Sequence, residues 1–461
     1  MSGRRWRVPI TTHQAWAMLA VVWALALPRV ASAGVVVGIE FVDQGVHSAV
    51  LGGPSQQINL TPYPLTSSPF SSNGALAGYT EGAIQNQIVA AVQEAFRSAE
   101  INLSGRMLDV NIVLGGVSPS VGTVQLVGAD LTGSGLAGES FTSGAIERFD
   151  LYPDSHYTNE MSVALANNIA NMGVTYHTAS DVVNALAGTA AHEIAHTLGV
   201  QNHVPGSAVN GVYSIMASGD SSPPLPILAR LTQRKFLNIA GTQLGGLSVP
   251  QVLLAAAGTT SATDFNFDHV TDGSDYNTVM GSLGKSKTGV KTGDGNDDGV
   301  TDGSDYNMVM AALGTNALPP STAGQTSLRY DQTTGDLYLR TNGMASGDGL
   351  YSILVAGPAA VWTNSLVASA GDSLLFRLNG KDQWILTGRE RFQASDDILL
   401  AQYASGLSLD AFGPVEYGFQ LRGANLIGYG SIALPEPGTM VLLEIAGGGA
   451  ALAAVVRRRA A

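Results

Sequence analysis

The twelve residues HEIAHTLGVQNH, from His192 to His203, hold three of the chain's eight histidines. If residues 180–198 form a helix, His192 and His196 stand four apart and project side by side from one face, where two imidazoles must be to share one metal ion. Glu193 sits beside them, placed to act on water. Gly199 can take the left-handed backbone conformation that ends a helix and turns the chain back, so a ligand just beyond it can complete a tetrahedral site. The stretch therefore demands a helix, a tight turn and a returning loop gathered around one ion, and the donor set reads as catalytic zinc.

The helix has its own sequence signals. Ser180 fits the N-cap with Asp181 set against the helix dipole, and Thr178 with Asp181 three residues on is a competing capping pair. Val183, Ala187, Ala190, Ile194 and Leu198 form an inward stripe. Gly188 costs roughly 1 kcal/mol against alanine in mid-helix, so it is expected to mark close packing against a neighbouring backbone.

HEIAHTLG, with Met216 of Ser214-Ile215-Met216 thirteen residues past His203, resembles the metzincin metalloproteases, whose signature is HExxHxxGxxH followed by a methionine turn. The resemblance implies a zinc endopeptidase. His192 and His196 would ligate the ion, Glu193 would be the proton acceptor, and Met216 a hydrophobic floor beneath the site. The family's third ligand falls three residues after the glycine, which here is Asn202, with His203 one place later. Imidazole binds zinc far better than a carboxamide, so His203 is the expected third ligand and Asn202 the fallback. Ser218 stands where some branches carry a tyrosine, so no tyrosine-assisted step is expected.

The chain has no cysteine, so disulfides and thiolate ligands are excluded and any metal rests on histidine, carboxylate or carbonyl groups. Its 461 residues suffice for two or three domains. Only 13% are charged and 56 are glycine, which indicates many turns and short strands. The net charge of −13 argues against nucleic-acid partners and for divalent cations.

Residues 1–33 carry early arginines, an apolar run over 15–27 and Ala31-Ser32-Ala33, the pattern of a cleaved secretory signal peptide. Residues 34–246 make one candidate domain, α+β and metzincin-like. It has a buried strand over 34–42, strands over 107–117 and 122–131, and an added helix over 159–171 before the zinc helix. Between them, a helix over 81–99 places Ile84, Ile88, Val92, Ala95 and Phe96 inward, with Gln85, Gln93, Glu94 and Arg97 outside. The resemblance further implies that the strand nearest the cleft binds an extended peptide by backbone hydrogen bonds.

Two loops thirty residues apart, DFNFDHVTDGSD and DGNDDGVTDGSD, repeat a calcium spacing. Asp264, Asn266, Asp268, Asp272 and Asp275 fall at positions one, three, five, nine and twelve, with the Val270 carbonyl at seven. Asp294, Asn296, Asp298, Asp302, Asp305 and Val300 repeat them. Residues 258–316 thus resemble the small α-helical dockerin module, which implies two Ca2+ ions and a cohesin-like partner. Position six is Gly299 in the second loop but His269 in the first, where the sharp turn favours glycine, so weaker binding is expected there. With few apolar residues, the repeat is expected to fold on calcium.

Residues 325–434 switch to short alternating strands, with a Thr-Thr-Gly-Asp turn inside 327–340, and read as an all-β sandwich serving as spacer or binding module. Its aromatics Trp362, Trp384, Tyr403 and Tyr417 are expected in the core rather than stacked on sugars. Residues 435–461, Pro-Glu-Pro, an apolar transmembrane stretch and three arginines, resemble the PEP-CTERM sorting tail. That implies an exported, surface or extracellular protein, held transiently at the inner membrane and handled by a sorting transpeptidase. The expected layout is therefore multidomain, acting on protein or peptide substrates. A second hypothesis is a catalytically inactive surface adhesion or scaffold protein, motivated by the displaced third ligand.

Overall fold

A computed structural model describes residues 35–50, 57–67, 69–116, 122–131, 137–140, 161–243, 247–286, 293–315, 326–341, 349–356, 373–378, 381–386, 397–412, 415–421, 424–430 and 432–433. The expected signal peptide and sorting tail lie outside them. Among the described residues no helix is long and apolar enough to cross a membrane.

The chain begins with β1 (Val35–Phe41), β2 (His47–Val50) and β3 (Gln57–Thr61), then α1 (Glu81–Arg97), β4 (Arg106–Leu108), β5 (Val110–Leu114), β6 (Gly122–Asp130), β7 (Gly138–Ser140) and β8 (Met161–Leu165). β5, β1, β6 and β8 lie side by side and parallel, and β7 closes the β8 side antiparallel. The β2–β3 hairpin joins the end of β6. α2 (Ala166–Ala170) follows β8 directly, and α3 (Ala179–Thr197) is the histidine helix.

Alternate strand residues serve two faces, as the pleat requires. Val37, Ile39, Val127 and Ala164 join Ile84, Ile88 and Phe96 of α1 and Val182, Leu186 and Ile194 of α3 in the main core. Leu126, Val163 and Leu165 turn the other way and meet Leu60. The expected stripe of α1 is buried throughout, but Gln93, expected outside, is buried too. β5 pairs only with β1 among the described strands, leaving backbone groups to satisfy. The Gln93 amide does so, donating to the Val110 carbonyl (2.8 Å) and accepting from the Ile112 N–H (2.9 Å).

Three other expectations need correction. The helix expected over 159–171 is β8 followed by five helical residues, because Ser162 to Leu165 fill a parallel slot beside β6 and burial there overrides local propensity. The strand expected over 107–117 is split at Asp109 into β4 and β5, and β4 leaves the main sheet. At α3 the competing cap prevails: Thr178 is the N-cap and forms a reciprocal capping box with Asp181.

After the histidine region come α4 (Val249–Ala257), β9 (Thr259–Ser261), α5 (Gly273–Ser282) and α6 (Gly303–Ala312). β9 pairs antiparallel with β4, and Arg106 donates to the Thr259 hydroxyl (2.8 Å) and carbonyl (2.9 Å). The Arg97 guanidinium lies 5.5 Å from the Phe265 ring centre. The loop repeat is therefore joined to the first domain by a strand ladder.

The C-terminal strands are β10 (Thr326–Tyr330), β11 (Asp336–Thr341), β12 (Gly349–Ala356), β13 (Ser373–Leu378), β14 (Lys381–Leu386), β15 (Asp397–Gln402), β16 (Val415–Leu421), β17 (Ala424–Gly430) and β18 (Ile432–Ala433). They form two sheets, β15-β11-β10-β18 and β13-β14-β12-β16-β17. Leu328, Tyr330, Leu337 and Leu339 of the first share a core with Ile353, Val355, Val415 and Tyr417 of the second. Tyr403 and Tyr417 are buried in it, whereas Trp362 and the Trp384 side chain lie outside the described residues.

Candidate metal centre

The helix α3 is capped by Thr178 at its start and ends at Leu198, after which Gly199 takes φ +93°. That left-handed residue lets the Gly199 N–H reach the His196 carbonyl (3.0 Å) and the Val200 N–H reach the Ala195 carbonyl (3.0 Å), folding the chain back over its last turn. The returning loop is pinned by Gln243. Its amide oxygen accepts from the Gln201 and Asn202 N–H groups (3.1 Å each), and its nitrogen donates to the Asn202 carbonyl (2.9 Å).

These local devices bring His192, His196 and His203 together and leave Asn202 out. The three Nε2 atoms stand 3.1 Å (His192–His196), 3.2 Å (His192–His203) and 3.2 Å (His196–His203) apart. The Asn202 side chain is exposed and donates instead to the Thr242 carbonyl at 3.1 Å.

Hydrogen bonding on the far side of each ring fixes its tautomer. His192 Nδ1 faces the Ile215 carbonyl (2.8 Å) and His196 Nδ1 the Val200 carbonyl (2.6 Å), both of which can only accept. His203 Nδ1 lies 3.0 Å from an Asp220 oxygen and 3.0 Å from the Ser218 hydroxyl. Ser218 also hydrogen-bonds Asp220, and this bond holds the Asp220 carboxyl below its usual range. Every Nδ1 therefore carries the proton, and every Nε2 presents a bare lone pair to the other two. Burial pushes the His192 imidazole well below its usual pKa, with His196 adding to the effect, and pushes His196 down to about 4.

Three lone pairs crowded together repel one another unless a cation lies among them. Donors about 2.0–2.1 Å from a tetrahedral zinc stand about 3.3 Å apart, close to the spacing found here. The trio can hold a metal ion. The supporting acceptors were not legible in the sequence: two are backbone carbonyls, and Gln243 lies forty residues beyond the loop. Asp220, four residues after Met216, could have been flagged as a carboxylate close to the histidine segment.

Around the trio is a cleft of about 560 Å³ lined by Glu193, Thr189, Gly138, Ser218, Arg230 and Arg234, among others. Glu193 is 7% exposed. Gly138 of the edge strand β7 approaches it so closely that a Cβ there would lie 2.7 Å from the carboxylate. Met216 is fully buried, and its carbonyl accepts the Val204 N–H (3.0 Å), tying this segment to the chain just after His203. Gly188 packs against the side chain of Arg234, where a backbone neighbour was expected.

The two acidic loops have matching internal order. Asp264, Asp275, Asp294 and Asp305 are fully buried. Asp275 accepts from the Phe265 N–H (2.6 Å) and Asp305 from the Gly295 N–H (2.7 Å); Asp268 and Asp298 accept from Val270 and Val300 (2.9 and 3.0 Å). Asn266 and Asn296 donate to Asp268 and Asp298 in turn. Asp272 and Asp302 act as N-caps of α5 and α6. Burial raises the Asp264 and Asp275 carboxyls, and the charge of Asp264 raises Asp275 further. Facing buried carboxylates suit a hard cation with oxygen ligands. His269 does take the left-handed conformation, φ +65°, as Gly299 does at +92°. Its side chain explains the exchange: Nε2 lies 2.7 Å from the buried Asp109, between β4 and β5.

No protein-family model matches the chain, and no curated protein matches it.

Proposed function

We propose that the protein is an exported zinc-dependent endopeptidase, with His192, His196 and His203 as metal ligands and Glu193 as the proton-transfer group. The observation that carries this reading is the trio of bare Nε2 lone pairs 3.1–3.2 Å apart, each ring fixed by an acceptor on its other nitrogen. Imidazole nitrogens without thiolates, and with no fourth donor beside them among the described residues, fit a catalytic zinc site, which keeps a position open. A zinc ion held there would supply Lewis acidity, polarising a carbonyl and acidifying water.

The chain's own groups do the rest. Glu193, one residue from His192 and turned into the cleft, takes a proton from the attacking water and delivers it to the leaving amine. β7 pairs only with β8 among the described residues, so its other edge offers backbone donors and acceptors beside Glu193. An extended substrate added there would be held by main-chain bonds with little sequence demand. The two acidic loops are read as calcium sites that stiffen the repeat. The displaced third ligand motivated the alternative of an inactive scaffold; the approach of His203 Nε2 to within 3.2 Å of the other two favours the enzyme reading over it.

The test is hydrolysis of unfolded casein by the full chain, with and without a zinc chelator, beside Glu193→Ala. Chelator-sensitive cleavage with one zinc per chain is expected, and Glu193→Ala should keep the zinc and lose turnover. A zinc-loaded chain that leaves casein intact would reject the reading.

A further inference from the structure

Arg234 is only 5% exposed, yet it lines the cleft beside Glu193. Among the described residues its one hydrogen bond is long: Nη1 reaches the Ile215 carbonyl at 3.4 Å. Nε and Nη2 have no hydrogen-bond partner among the described residues. A buried guanidinium with two unused donors is costly, and such side chains are normally paired.

Among the described residues no carboxylate acts on it. Burial draws its pKa down to about 9, and the charged neighbour that acts on it is another cation, Arg230. The nearby Glu193 carboxylate acts on Arg230.

Room for the group is made by Gly188. A Cβ at that position would lie 2.2 Å from Arg234 Nη2 and 2.8 Å from Cζ, so any other residue would force the guanidinium to move from its present place. Gly188, His192 and His196 follow at intervals of four on one face of α3. The guanidinium therefore lies about 6 Å along the helix from the first metal ligand. An extended chain advances about 3.3 Å per residue, so this distance corresponds to a side chain within about two residues of the scissile bond.

We infer that Arg234, admitted by Gly188, is a carboxylate-binding subsite that selects substrates with an acidic group within two residues of the bond to be cut. The inference rests on the peptidase reading. A carboxylate takes two parallel hydrogen bonds from one guanidinium, which matches the two unused donors. The carboxylate has two sources, an Asp or Glu side chain or the free end of a short peptide.

The experiment uses the full zinc-loaded chain. Cut sites in casein are mapped first and should show Asp or Glu enriched on one fixed side of the bond. Peptides carrying Glu or Gln at that position, with an amidated C-terminus, then give kcat/KM. A ratio of at least tenfold for Glu is expected, falling to near one in Arg234→Gln and partly kept in Arg234→Lys. Peptides ending at that position with a free or amidated terminus test the second source. If only free-ended peptides are favoured, the carboxylate is terminal.

Binding without turnover is read in Glu193→Ala by fluorescence anisotropy of the same labelled peptides, where the Glu form should bind tighter. Gly188→Ala is a second route to displace the guanidinium and should erase the preference with Arg234 in place. Equal rates on Glu and Gln peptides in the unmodified chain would overturn the inference. So would an Arg234→Gln variant that loses both activities equally along with thermal stability, the mark of a structural role. Preferential binding of the Glu peptide with no cleavage of any substrate would leave the subsite standing and reject the peptidase reading.

Discussion

Substitutions at three neighbouring positions should separate into three grades of metal loss. His203→Ala removes one of the three converging Nε2 donors and leaves two imidazoles 3.1 Å apart. Asp220→Ala keeps the donor but removes the carboxylate 3.0 Å from His203 Nδ1, which fixes its tautomer. Losing a supporting group of this kind costs roughly 10–100-fold in metal affinity, so losing the ligand itself should cost more than about 100-fold. Asn202→Ala removes one exposed hydrogen bond to the Thr242 carbonyl. That is worth about 0.5–1.5 kcal/mol of stability at most, and metal affinity should be unchanged. Zinc competition against a chromophoric chelator reads the affinities directly. Thermal unfolding gives an independent reading, because a 100-fold weaker site gives up about 2.7 kcal/mol of metal-linked stabilisation at saturating zinc. If Asn202→Ala strips the metal while His203→Ala keeps it, the tautomer argument fails with the ligand assignment.

Three further outcomes follow from the same geometry. His196 is held near pKa 4 against an ordinary 6.5, so below pH 6.5 the unfolded zinc-free chain binds the extra proton first. The stability this group contributes is present above pH 6.5 and is lost as pH falls towards 4, up to about 3 kcal/mol. Melting of the zinc-free chain, with calcium retained, should fall more steeply over that window than in His196→Gln, and parallel curves would contradict the assignment. Removing calcium from the full chain should lower its melting temperature and speed amide exchange in β4 and β9, since among the described residues the repeat's own core is Phe265, Val279 and Val309 with Tyr276 and Tyr306 packed against them. Identical exchange with calcium and with chelator would count against calcium in the loops. Gly138→Ala should keep zinc and lower turnover at least tenfold, because its Cβ would meet Glu193 at 2.7 Å. Full activity in that variant would show that Glu193 does not need its present position.

What the sequence disclosed, and what it hid, divides along a physical line. The helix α3 was legible because apolar residues and histidines share one period, and Gly199 marked its end. His203 was preferred over Asn202 on ligand chemistry alone, and the three-residue turn has the reach to deliver it. The sequence could not show where side chains find partners far along the chain. Gln93 looks like a solvent-facing residue of an amphipathic helix, and only the bare edge of β5 gives it a buried role. β8 was misread because a short run of small and apolar residues fits a strand or a helix equally well. Arg234 carries no local pattern at all, and its meaning depends on a glycine forty-six residues earlier.

The bond between His269 and Asp109, with the β4–β9 ladder, also changes what the acidic repeat can do for its host. A module on a loose linker offers a captured partner at a concentration set by linker length. Here the module is fixed to the domain that carries the cleft, while Met280, Leu283, Met310 and Leu313 repeat as exposed apolar pairs on and just beyond α5 and α6. A protein seated on those pairs would be presented at one distance and in one orientation. Its own segments would reach the cleft, or miss it, by geometry rather than by chance encounter, so in the proposed peptidase docking would decide which bonds are offered for cutting.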